Sequence, residues 1–181
     1  MKKLLSILFF LSFFACNQNL NDNSQVATAP RILGNVSPKA MVVSAHKEAS
    51  KVGVEIMKKG GNAFDAAIAV QFALAVVYPQ AGNIGGGGFA VYRKADGEIG
   101  TLDFREKAPK LASKDMYLDE QGNVIKGLSI VGHKAYGVPG SVDGMIKLHE
   151  KYGSLPFSDL VQPSVNLAYD GVLLLNTKLK C

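Results

Sequence analysis

The fifteen residues from Ala63 to Val77 (AFDAAIAVQFALAVV) constrain this chain most, because only Asp65 and Gln71 among them are polar. A helix on a protein surface carries a polar face, and this segment has none. At 15 residues it is also shorter than the ~20 apolar residues needed to cross a bilayer. It reads as a core helix covered by other layers. Asn62, just before it, is a good N-cap, and Asp65 stands where a capping box needs an acceptor. The alanines permit close approach of a neighbouring helix or sheet.

The flanking sequence supplies the covering elements. Ala49, Val52, Gly53, Ile56 and Met57 recur at helical spacing after His46, opposite Lys47, Glu48, Lys51, Glu55, Lys58 and Lys59. Glu55 and Lys59 are spaced for an i,i+4 pair, and Gly60-Gly61 supplies the stop. Met41–Ser44 (MVVS), short and β-branched, is expected to be a buried strand. Beyond the core helix, Pro79 and the run Gln80–Gly88 (QAGNIGGGG) break regular structure. Phe89–Arg93 and Ile99–Phe104 then read as two strands joined by a turn at Asp96-Gly97. A helix is expected over 141–152, with Val142, Met145, Ile146 and His149 on one face and Gly153 as its stop. Another is expected over 157–169, broken at Pro163. This order gives an α+β or layered α/β body, and no internal repeat is visible.

Composition removes several functions. With 48% hydrophobic and 19% charged residues among 181, the chain is too apolar for disorder, and its 19 glycines do not suit a coiled coil. The net charge of +5 comes mostly from scattered lysines, 17 of the 20 basic residues. Base readout relies chiefly on arginine, so nucleic acid is not an expected partner. Two cysteines exclude a disulfide scaffold or a Cys-rich metal site. His46, His133 and His149 show no paired-ligand spacing, and no G-x-S-x-G nucleophile motif is present. Neither a metal nor a cofactor is expected.

Two local features carry candidate chemistry. Gly85, Gly87 and Ala90 nominally fit a G-x-G-x-x-A fingerprint, but that motif needs a strand before it and a helix after it. Here the order is reversed, so the run reads as a loop requiring positive φ or close backbone approach. The second feature is Asp103-Phe104-Arg105-Glu106 at a strand end. The planar guanidinium of Arg105 there suits bidentate binding of a substrate carboxylate. An ion pair with Asp103 or Glu106 is the alternative, and spacing alone favours it.

The N-terminus reads as an export signal. Lys2 and Lys3 precede an apolar stretch from Leu4 to Phe14, followed by Ala15 and Cys16. That is a basic region, a short hydrophobic region and a small residue before a break. Cys16 resembles the acylated cysteine of a bacterial lipobox, although Phe13 and Phe14 replace its usual residues. An ordinary signal peptide that contains a cysteine is the other reading. The division expected is a signal peptide of lipoprotein type over 1–15, a lipidated Cys16 with a polar tether over 16–30, and a folded region over 31–181. The product is expected to be exported, periplasmic or membrane-anchored.

From Met41 to Gly171 a family becomes recognisable. The motifs KGGNAFDAA, GNIGGGGF, DFREKAP and GVPGSV, in that order and spacing, and then VQPSVNLAYDG, resemble the start of a γ-glutamyltranspeptidase. The resemblance implies an N-terminal-nucleophile hydrolase, an α+β fold built as a four-layer αββα sandwich, with only its N-terminal portion present. Such enzymes are precursors that cleave themselves into a large and a small subunit. The new N-terminal threonine then attacks the γ-glutamyl amide of glutathione or a related compound, and water or an amino acid accepts the glutamyl group. Arg105, by resemblance, holds the α-carboxylate of the glutamyl moiety, which reverses the reading from spacing alone.

The resemblance also implies a gap. Thr28, Thr101 and Thr177 lack the context of the family's nucleophile, and the tail from Val172 to Cys181 drifts from the family pattern. The expectation is a truncated large-subunit segment, inactive alone, whose partner is the small-subunit half of the same precursor. The alternative is a non-catalytic exported lipoprotein that binds γ-glutamyl or glutamate-like ligands.

Overall fold

A computed structural model of the chain describes Gly34 and residues 36–172. The segments expected to be a signal peptide and a tether, with Cys16 between them, lie outside the described residues. Among its described residues, the unit that begins at Lys39 holds four helices and a two-stranded sheet. In chain order they are α1 (Lys47–Lys58), α2 (Ala63–Val77), β1 (Phe89–Arg93), β2 (Ile99–Asp103), α3 (Ser141–Tyr152) and α4 (Phe157–Asp170).

α2 is the centre of the unit, packed against α1, α3 and α4. Its capping box forms as the sequence requires: Asn62 Oδ1 accepts from the amides of Phe64 and Asp65, and Asp65 Oδ2 accepts from the Asn62 amide at 2.9 Å. α1 approaches α2 so closely that a Cβ on Gly53 would lie 2.7 Å from Val70 Cγ2. At the end of α1, Gly60 takes φ +96°, and the amides of Gly60 and Gly61 bond back to Met57 and Ile56. This is the Schellman arrangement, which a β-carbon at Gly60 would strain. Ile56, Ile68 and Leu160 are fully buried at the helix junctions. Each such side chain contributes about 1.5–3 kcal/mol through burial.

β1 and β2 pair antiparallel, with Phe89 opposite Asp103 and Arg93 opposite Ile99. The inner face carries Ala90, Tyr92, Gly100 and Leu102, and Tyr92 lies across Gly100 on the facing strand. Phe64 of α2 stacks on Tyr152 of α3 at 4.4 Å and meets Tyr92 edge-on at 5.2 Å. The Tyr92 and Tyr152 hydroxyls are 2.6 Å apart. This aromatic trio docks the hairpin on the helices. The outer face, with Phe89, Val91, Ile99 and Thr101, is exposed.

Five expectations need correction. Met41–Ser44 forms no strand and is not buried, since among the described residues none pairs with its backbone. β2 ends at Asp103 rather than Phe104, whose ring turns in against Gly88 and Gly144. Glu55 pairs with Lys58 at 2.7 Å, since Lys59 is already the C-cap. α3 buries Ser141, Gly144, Met145 and Leu148, leaving Val142 and Ile146 exposed; seating Gly144 on the Phe104 ring turns the helix that way. Finally, α4 runs unbroken through Pro163. Leu160 and Ser164, on either side of that proline, are both buried, so packing holds the two turns despite the lost amide.

Candidate functional site

The glycine run, the DFRE segment and the Gly140 turn are far apart in sequence, and the fold brings their backbones together. The Gly86 carbonyl accepts from the amides of Gly140 and Ser141 at 2.8 and 3.0 Å. The Gly88 carbonyl accepts from the Phe104 amide at 3.0 Å. Lys107 and Val138 exchange both backbone hydrogen bonds just beyond. The result is a three-stranded crossing of loops with little room between them. A Cβ on Gly87 would lie 2.6 Å from Arg105 Cα and 2.7 Å from the Glu106 nitrogen. Close approach, not positive φ, is therefore why glycine stands at Gly87; none of Gly85–Gly88 has positive φ.

This crossing fixes where Arg105 leaves the backbone. Asp103 Oδ1 accepts from the Arg105 amide at 3.0 Å, which bends the chain out of β2. The side chain itself is only loosely held. Its Nε is 4.0 Å from Asp103 Oδ1, and its Cζ lies over the Phe89 ring, 5.3 Å from the centroid. No ion pair joins Arg105 to Glu106, and the terminal guanidinium nitrogens make no hydrogen bond to another described residue. With the side chain 62% exposed, an ion pair at 4.0 Å contributes at most about 1 kcal/mol. The structural alternative for Arg105 is thus weak, and a two-pronged donor edge stands open to a planar anion.

Other groups that the sequence made notable serve the scaffold. Asp65 is fully buried and accepts from Ser154 Oγ and the Ser154 amide as well as from Asn62. Burial pushes its carboxyl up, but the hydrogen bonds from Ser154, Asn62 and Leu155 outweigh this and hold it below the usual carboxylate range. His149 Nε2 contacts the Leu155 carbonyl at 2.7 Å. Thr101 sits within β2. Among the described residues no group of His, Cys, Asp or Glu is arranged to hold a metal, and no helix is long and apolar enough to cross a membrane. An apolar groove of about 460 Å³ between α2 and α4 is lined by Phe72, Val76, Ile84 and Val165. Its lining includes no charged group, and Gly85 at its edge leads into the glycine run.

The contact of Phe89 with Arg105, and the seating of Gly140 and Gly144 on Phe104, escaped the sequence reading. Only the strand register, which places Phe89 opposite Asp103, would have signalled the first.

Residues 49–179 match the family model for gamma-glutamyltranspeptidase. The chain belongs to that family. It is 59% identical over 134 residues to the glutathione hydrolase proenzyme of Pseudomonas sp. (strain A14), covering 74% of this chain and 23% of that protein. Against the proenzyme of Escherichia coli K12 it is 49% identical over 136 residues, 75% of this chain and 23% of that one. The crystal structure of Helicobacter pylori gamma-glutamyltranspeptidase superposes with a TM-score of 0.72 at 51% identity, over 76% of this chain and 40% of that chain. The chain thus spans about a quarter of the length of the curated relatives it matches. Its fold is the N-terminal portion of the γ-glutamyltranspeptidase type, an α+β fragment of an N-terminal-nucleophile hydrolase.

Proposed function

We propose that this γ-glutamyltranspeptidase segment supplies the carboxylate-recognising wall of a γ-glutamyl site. The observation that carries the reading is the open donor edge of Arg105, fixed in place by the Gly87 crossing and engaged only weakly by Asp103. Its terminal nitrogens bind the α-carboxylate of the glutamyl moiety of glutathione or another γ-glutamyl compound. That contact orients the γ-amide for attack. The nucleophilic threonine belongs to the small-subunit part of the precursor and is not among Thr28, Thr101 and Thr177. Once complemented, the site cleaves the γ-glutamyl amide, and water or an amino acid takes the acyl group. On this reading the segment alone is inactive, because none of its three threonines has the sequence context of the family's nucleophile.

Two further readings complete the proposal. The exposed outer face of the hairpin, at Val91 and Ile99, receives the next layer of the sandwich. Export and acylation at Cys16 tether the product to a membrane.

Titration of the full chain with glutathione tests the proposal. Charge-assisted hydrogen bonds contribute roughly 1.5–3 kcal/mol, so Arg105→Ala should weaken binding by about ten- to a hundredfold. Affinity unchanged by that substitution removes the role of Arg105. Release of product from a γ-glutamyl chromogenic substrate by the purified chain contradicts its inactivity.

A further inference from the structure

Phe89 opens β1 and lies opposite Asp103 in the antiparallel register. The Arg105 guanidinium folds back over the Phe89 ring, with Cζ 5.3 Å from the centroid. The ring is on the outer face of the hairpin and is 64% exposed. Within this unit it fills no core: on the inner face Ala90 packs against the buried cluster, and Tyr92 packs against Phe64 and Tyr152. What the ring does offer is a negative π-face, which attracts a guanidinium plane. Asp103 engages the same group from its Nε edge, at 4.0 Å. Ring and carboxylate thus engage Cζ and Nε, while the terminal nitrogens of this 62% exposed side chain hydrogen-bond to no described residue.

We propose that Phe89 is a positioning residue for Arg105, its ring holding the guanidinium plane so that both terminal nitrogens face the α-carboxylate of a γ-glutamyl donor. The inference rests on the reading of Arg105 given above and adds what keeps that side chain in a binding geometry. An exposed arginine samples many rotamers, and each one frozen on binding weakens the complex. A ring that already carries the plane removes part of that loss. A guanidinium fork held over a ring also favours a planar carboxylate over other anions, a selectivity that a point charge such as lysine lacks.

Calorimetric titration of the full chain with glutathione tests this, using Phe89→Leu, Phe89→Tyr and Phe89 replaced by mono-, di- and trifluorinated phenylalanine. Leucine is expected to weaken affinity by about two- to fivefold, as expected for an exposed cation–π contact, while tyrosine retains it. Fluorine drains the ring face but changes its volume little, so affinity should fall stepwise along the series while the thermal midpoint stays put. A purely structural ring would not give that graded loss. Affinity indifferent to fluorination, with binding still lost in Arg105→Ala, overturns the role of Phe89 and leaves Arg105 standing. No glutathione binding by the unaltered chain overturns both. If Phe89→Leu fails to fold, the fluorinated series decides.

Discussion

A Cβ on Gly87 would stand 2.6 Å from the Cα of Arg105. Real side chains do not approach that closely, so Gly87→Ala must push the DFRE segment away from the glycine run. Overpacking of this kind costs about 1–3 kcal/mol. Displacement of Arg105 should also weaken glutathione binding by about tenfold or more. Gly85, two residues earlier, has nothing within 4 Å of its Cβ position and no positive φ. Gly85→Ala is expected to change stability by less than about 0.5 kcal/mol. Denaturant melts and glutathione titrations of the two variants check the contrast; equal effects would contradict the close-approach account.

Asp65 makes stability depend on pH in one direction. Its folded carboxyl titrates below its ordinary range because the bonds from Ser154, Asn62 and Leu155 outweigh the effect of burial. A depressed folded value contributes stability above the unfolded value of about 3.9, and that stability fades as pH falls through the folded value. Asp65→Asn should therefore be less stable at neutral pH, by roughly 1–3 kcal/mol. Its deficit should shrink as pH drops below about 4. A deficit that is constant with pH would show that the carboxylate charge plays no part.

The hairpin turns an apolar face to solvent. Val91 is 77% exposed and Ile99 70%, side chains that a lone sheet does not normally leave uncovered. Replacing both with threonine keeps the β-branch, so strand formation should survive. Self-association measured by analytical ultracentrifugation should fall, with the melting midpoint nearly unchanged. Undiminished association would place the sticky surface elsewhere.

The proposed acylation at Cys16 predicts a mass increment on the mature protein. In an intact bacterial host, mass spectrometry of the mature N-terminus should find a diacylated Cys16, and Cys16→Ala should lack the modification. A free thiol at Cys16 on exported protein would rule out the lipid anchor.

The parts of this fold that local chemistry determines were legible in the chain. Asn62 and Asp65 announced the start of α2 because a capping box involves only residues within one turn. Gly60 announced the end of α1 for the same reason. The hairpin limits were readable to within one residue, since Asp96-Gly97 forms the turn and alternation marks the strands. What failed depended on remote partners. Met41–Ser44 has strand composition, but composition does not supply a strand to pair with. Pro163 has the local signature of a break, overridden by the burial of Leu160 and Ser164. At the candidate site the sequence showed a suggestive arginine beside two acids. Only the crossing of Gly87 over Arg105, and the ring of Phe89 beneath the guanidinium, show that the arginine is anchored at its backbone and open at its tip.

The central claim is that Arg105 reads a free α-carboxylate. Its most direct measurement compares binding of glutathione with glutathione amidated at the glutamyl α-carboxylate, in the unaltered chain and in Arg105→Ala. The unaltered chain should prefer the free acid by about tenfold or more, and Arg105→Ala should bind the two forms alike. Equal affinity for both forms in the unaltered chain, or a preference that survives the loss of Arg105, would contradict it.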